Sequence, residues 1–145
     1  MSRHILFRGK TRKGEWVYGD LIQATEDKAC LIAYIDNKYK CNYRDVFPET
    51  VGQFTGLTDK NGKKIFEGDI VRVKGKETEE NWKDYDEFGK VVFENGAFLI
   101  KVANIFNGKK YFSEVHSRYM TTADWVEREV VGNVFENKEL LGENK

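Results

Sequence analysis

The amino-terminal part of the chain combines basic and aromatic side chains in a pattern with chemical meaning. The cations and the nearest ring are Arg8, Lys10, Arg12, Lys13 and Trp16. Cations beside aromatic faces on a small β-structure are typical of proteins that bind single-stranded nucleic acid, because phosphates pair with the charges and bases stack on the rings. The pattern therefore predicts a nucleic-acid contact at these five residues.

A second interpretation of the same segment is self-association. Lysines and arginines at a hairpin tip also keep a turn soluble or protect an edge strand from unwanted pairing. A chain with several short strands has exposed edges, and Trp16, Tyr18 and Trp82 exceed what one small core needs. A symmetric contact between copies would bury these aromatic side chains and would also pair the exposed strand edges. We favour this hypothesis over nucleic-acid binding.

Metal binding and catalysis have weaker support in the sequence. The available soft and imidazole ligands are Cys30, Cys41, His4 and His116. They lack the close pairing of structural zinc sites, and there is no nucleophile motif or phosphate loop. The carboxylates of Asp59 and Asp69 lie within turn segments, where such groups usually accept backbone hydrogen bonds. We therefore expect no catalytic residue, no metal, no cofactor and no enzymatic activity.

Composition sets the class of protein. The chain has 145 residues, of which 40% are hydrophobic and 14% aromatic, so it can bury a core. It has 24 basic and 24 acidic side chains, so its overall electrostatic field does not attract a polyanion. Two cysteines, no signal peptide and no apolar run of membrane length predict a cytoplasmic protein without a membrane partner.

The elements that must position these residues are short strands. We predict hairpins from residues 4–8 and 15–22, from 29–35 and 39–43, and from 90–94 and 97–102. A closing strand covers 129–135, and a last helical turn follows Asn137. The single proline, Pro48, predicts a joint between an N-terminal β-hairpin subdomain at 1–48 and a small antiparallel barrel-like body at 49–145. The fold class is mainly β with one or two short helical turns.

Two segments carry more specific expectations. Asn61-Gly62 has the composition of a type I′ turn, which needs positive φ at both residues, and the strand after Gly68 alternates apolar and basic side chains. Between residues 74 and 89 the spacing of Trp82, Tyr85 and Phe88 predicts an ordered loop with a helical turn, docked by its aromatic side.

The segment from Thr55 to Val71 also resembles a known signature. It reads Thr-Gly-Leu-x-Asp-x-Asn-Gly-x-x-Ile-Phe-Glu-Gly-Asp-Ile-Val, which is similar to the YopX-like proteins of phages and prophages. Blocks at 7–19 and at 130–137 also resemble that family. The resemblance implies a mainly β, self-associating phage protein in a bacterial host cell, with itself and an unidentified host or phage protein as partners.

Overall fold

Antiparallel β-strands dominate the computed structural model, which describes residues 3–24, 29–76, 84–106, 109–112, 118–119 and 126–142. Within these residues there are two 3-10 turns and no longer helix. The strands are β1 (Phe7–Lys10), β2 (Trp16–Gln23), β3 (Cys30–Ile35), β4 (Cys41–Val46), β5 (Gly52–Thr58), β6 (Lys64–Phe66), β7 (Asp69–Lys76), β8 (Asp84–Glu94), β9 (Ala97–Phe106), β10 (Lys109–Phe112), β11 (Arg118–Tyr119) and β12 (Val126–Asn133). The mainly β fold class is confirmed.

The first sheet is built from the predicted amino-terminal hairpins. Its hydrogen-bonded strand order is β4-β3-β2-β1-β5-β6. On one face of this sheet, Cys30 and Ile32 of β3 and Val46 at the end of β4 form the buried centre. Leu21 opposite Ile32 extends this cluster. The alternation in these strands thus gives the sheet a buried face and an opposite face.

The first sheet curls toward itself at one corner. Thr11, just after β1, makes an isolated bridge to Val46 at the end of β4, and the Phe47 N–H donates to the Lys10 carbonyl at 2.9 Å. The rest of β4, from Cys41 to Asp45, has no strand on its far side among the described residues. The sheet is therefore curled but not closed.

The second sheet has the order β10-β9-β8-β7-β12, with β11 beside β9. Five of its side chains form a buried cluster that also includes Ile65 of β6, and they are Val71, Val73, Val91, Ile100 and Val102. Alternation along β7 places Val71 and Val73 in this cluster, as the sequence predicted. Since β12 and β10 lie at opposite edges and do not pair in the described residues, this sheet also stays open. The prediction of a barrel-like body is therefore wrong for the described residues, because a closed barrel would require the edge strands to pair.

The predicted helical turns have different outcomes. A 3-10 turn spans Lys138–Leu141 after Asn137 and ends at Gly142 with φ 69°, which confirms the last one. A second 3-10 turn spans Pro48–Thr50. The helical turn expected between residues 74 and 89 is wrong for Tyr85 and Phe88, which lie on β8 and pair with β7. Trp82 lies outside the described residues.

The chain forms two compact units, Met1–Gly56 and Leu57–Lys145. The domain division between residues 48 and 49 stays a prediction; the compact units divide within β5. Among the helices of the described residues, none has the length and apolarity needed to cross a membrane.

Candidate interaction surfaces

The amino-terminal hairpin brings three of its five predicted site residues together. Arg8 lies opposite Tyr18 and Lys10 opposite Trp16 across β1 and β2. The guanidinium carbon of Arg8 is 4.8 Å from the centroid of the Trp16 ring, and the Lys10 Nζ is 5.9 Å from it. Arg8 is only 6% exposed and Trp16 is half-buried. The protein's own cations therefore already occupy the ring that a base would stack on.

The other two predicted site residues lie at the turn of this hairpin. The Arg12 guanidinium stacks over the Phe47 ring at 4.9 Å, and its Nε donates to an oxygen of Asp45 at 3.2 Å. Lys13 is exposed in the turn. A nucleic-acid contact at this hairpin stays a prediction, and Arg12 would have to leave Asp45 to make it.

The face of β2, β3 and β4 opposite the buried cluster, here called the outer face, carries large apolar side chains. Cross-strand register places Asp20, Ala33 and Tyr43 in one row of this face. Four large apolar residues on it are exposed, namely Tyr18 at 47%, Ile22 at 42%, Ile35 at 62% and Tyr43 at 55%. Most of the sheet's exposed apolar surface is therefore gathered on one side.

The outer face contains part of the predicted self-association surface and adds to it. Tyr18 and Trp16 alternate with inward-facing Val17 on β2, so both belong to this face. Sequence reasoning missed Ile22, Ile35 and Tyr43. Ile22 and Ile35 read as core residues in apolar strands, and only the pairing register shows that they face outward.

Two loops of the chain form the same hydrogen-bonded turn. In each, the backbone N–H of an aspartate donates to the carbonyl of the residue four positions later, and the aspartate's own carbonyl accepts the N–H of the residue three positions later. In each, the aspartate Oδ1 accepts the backbone N–H groups two and four positions later, at 2.8–3.0 Å. The aspartates are Asp36 and Asp59. The residue three positions later has positive φ in both turns, and it is Tyr39 (61°) in one and Gly62 (79°) in the other.

This geometry corrects the turn expected at Asn61-Gly62. Only Gly62 has positive φ there, so the loop is a type I turn followed by a glycine bulge rather than type I′. By contrast, Asn95 and Gly96 both have positive φ, at 52° and 78°, and form the type I′ hairpin turn between β8 and β9.

Asp59 also joins its loop to the last strand. Its Oδ2 accepts the Val130 N–H at 2.9 Å, and the neighbouring Lys60 N–H donates to the Arg128 carbonyl at 2.9 Å. Burial acts to raise the pKa of the Asp59 carboxyl, but the N–H donors of Val130, Lys63 and Asn61 and the Lys63 charge outweigh it and hold that pKa below its usual value. Asp59 thus has the turn role that the sequence predicted.

The other turn presents Tyr39. Asp36 Oδ2 accepts the side-chain amide of Asn42 at 3.0 Å, and this bond, followed by those from Lys40 and Lys38, lowers the pKa of the Asp36 carboxyl. The Tyr39 ring stands at the tip of the β3–β4 hairpin and is 91% exposed.

A shallow depression in the second unit has no reactive arrangement. It is lined by Lys60, Arg72, Lys74, Glu127, Arg128 and Glu129. Two of its basic side chains form ion pairs, with Lys60 3.6 Å from Glu129 and Arg72 2.6 Å from Asp86. Among the described residues, no group of three or more His, Cys, Asp or Glu side chains could hold a metal ion.

These features define an antiparallel β protein with two compact units. The YopX protein family model matches residues 6–142, so the chain belongs to the YopX family. The solved structure of protein EF1440 from Enterococcus faecalis is similar, with 22% identity, a TM-score of 0.48, and coverage of 97% of this chain and 99% of that one. A comparison with curated proteins gave no match.

Proposed function

We propose that this protein is a non-enzymatic interaction module, encoded by a phage or prophage and acting in the bacterial cytoplasm, that associates with copies of itself through the outer face. The observation that carries the proposal is the gathering of Tyr18, Ile22, Ile35 and Tyr43 on one side of the first sheet. Contiguous exposed apolar side chains cost free energy in water, and covering them stabilises a complex.

Charge favours a second copy as the occupant. The outer face carries an acidic group at Asp20 and a basic group at Lys10, so a two-fold contact can set opposite charges against each other. The whole chain carries no net charge, so copies do not repel one another over longer distances. The strand β4 is an edge of the first sheet beside this face, and its exposed backbone is able to pair with the β4 edge of a second copy.

The test is the oligomeric state of the purified chain and of two variants. Ile35→Lys puts a charge at an outer-face position that is 62% exposed, so the fold loses little while an apolar contact would be lost. Tyr39→Asn is the matched control, because it removes a still more exposed ring that lies at the hairpin tip instead of on the outer face.

Sedimentation velocity over a concentration series measures the outcome. We expect the unchanged chain and Tyr39→Asn to sediment as the same oligomer, and Ile35→Lys to shift toward the protomer. An unchanged chain that stays a protomer at micromolar concentration, or an oligomer that Ile35→Lys does not weaken, would refute the proposal.

A further inference from the structure

Tyr39 occupies the position of positive φ in the turn between β3 and β4, where the backbone conformation favours glycine. The turn at Asp59 has the same hydrogen bonds and uses Gly62 at the position with positive φ. Glycine adopts this conformation freely, whereas a residue with a Cβ does so at a cost. Asn95, the other non-glycine residue with positive φ in the described residues, is of a type that tolerates it. Tyr39 is not.

Nothing in packing compensates for Tyr39. Its ring is 91% exposed, so it contributes no buried apolar area that would offset the backbone cost. At the same time the loop is well held, because Asp36 accepts the backbone N–H groups of Lys38 and Lys40 and the side-chain amide of Asn42. The ring is therefore presented to solvent on an ordered turn.

The side chains around the ring decide what could bind there. Lys38 and Lys40 flank Tyr39 and both are exposed. The carboxylate of the same turn, Asp36, has both oxygens engaged by N–H donors inside the turn. An exposed planar ring with an exposed lysine on either side of it in the chain fits a ligand that repeats flat faces and negative charges, which is the chemistry of a single-stranded nucleic acid.

We propose that this tip, formed by Lys38, Tyr39 and Lys40, binds single-stranded nucleic acid, with a base stacked on the Tyr39 ring and phosphates paired with the two lysines. An acidic peptide would satisfy the lysines but would not use the ring. The amino-terminal hairpin is less suited to the same task, because Arg8 is buried, Arg12 is paired with Asp45, and the Trp16 ring is covered by cations.

Fluorescence anisotropy with a labelled oligothymidine of about 20 nucleotides, long enough for a typical site, tests the proposal. We expect binding at low salt that Tyr39→Asn weakens by roughly 5- to 150-fold, the value of one stacked base, while Tyr39→Phe keeps it. Replacing Lys38 and Lys40 by Gln should make the negative slope of log affinity against log salt shallower by about 1.4, since each phosphate contact contributes about 0.7 on a single strand.

Two controls distinguish binding at the tip from a loss of folding and from binding at the amino-terminal hairpin. Asn tolerates positive φ, so Tyr39→Asn should melt at or above the temperature of the unchanged chain, and lost binding cannot then come from unfolding. Lys13→Ala, at an exposed lysine of the amino-terminal hairpin turn, tests that hairpin and should leave the affinity unchanged.

Three results would overturn the proposal. They are no binding at low salt, equal affinity for Tyr39→Asn and the unchanged chain, and loss of binding only in the hairpin variant. Complete displacement by polyglutamate without any dependence on Tyr39 would instead assign the tip to acidic proteins. The proposal does not depend on self-association, because Ile35→Lys tests that separately.

Discussion

Asp59→Asn tests how much the carboxylate that joins the loop between β5 and β6 to β12 contributes to stability. The three N–H donors of Asn61, Lys63 and Val130 each lie 2.9 Å from its oxygens, and the residue is 7% exposed. Asparagine offers one oxygen. If that oxygen stays on the loop donors, the new amide NH₂ faces the Val130 N–H and leaves it without an acceptor. An unsatisfied buried donor costs about 1–3 kcal/mol, and because Val130 is only half-buried we expect the free energy of unfolding to fall by about 1–2 kcal/mol.

Asp36→Asn is the matched control for this prediction. Its Oδ1 accepts from the same two loop positions, but its Oδ2 receives the side-chain amide of Asn42, which can turn over and present its oxygen instead. We therefore expect a smaller loss. Urea unfolding followed by circular dichroism at neutral pH measures both variants. Equal midpoint shifts for the two variants would refute the assigned role of the Val130 bond.

Acid provides a further check on the same group. Because the pKa of Asp59 is lowered in the folded chain, its contribution is present above the ordinary carboxyl pKa of about 4 and is lost as pH falls through the lowered value. The stability of Asp59→Asn should therefore change less with pH in that acidic range than the stability of the unchanged chain. Parallel curves would contradict this.

The remaining predictions concern backbone positions. Tyr39→Gly should raise the free energy of unfolding by about 0.5–1 kcal/mol, because it removes a side chain from a positive φ; a lower thermal midpoint would contradict the strain argument. Gly96→Ala should cost about 1–2 kcal/mol from conformation alone, since a Cβ there meets no atom within 4 Å; no change in thermal midpoint would contradict this. Gly19→Ala should cost about 1–3 kcal/mol or more, because its Cβ would overlap the carbonyl oxygen of Ala33, and an unchanged midpoint would show that β2 and β3 can separate easily.

Strand positions were the most predictable part of the fold. Period-two alternation in β7 and the Asn95-Gly96 turn between β8 and β9 are local signals, and both are confirmed. The same dipeptide at Asn61-Gly62 forms a different turn, because the Asp59 side chain holds two loop N–H groups and competes with the tight hairpin. A local pattern therefore identified a turn without identifying its type.

The surfaces were less predictable, because they depend on pairing between distant segments. The spacing of Tyr85 and Phe88 matches a helix, yet hydrogen bonds to β7 place both on a strand. Ile35 and Tyr43 share the outer face only because Ala33 pairs with Tyr43 and Ile35 with Cys41. No sequence rule places a tyrosine such as Tyr39 at positive φ, so that residue was visible only in the structure.

The position of β7 between β8 and β12 has a consequence for synthesis on the ribosome. It pairs with β8, which follows it soon, and with β12, which is translated much later. Contacts between distant segments form late, since a long intervening chain must first be ordered. The first unit, made of neighbouring hairpins, can assemble as it emerges, whereas the second keeps one flank of β7 open until Val126–Asn133 leaves the exit tunnel. A nascent chain paused before that strand is therefore the form most in need of a chaperone.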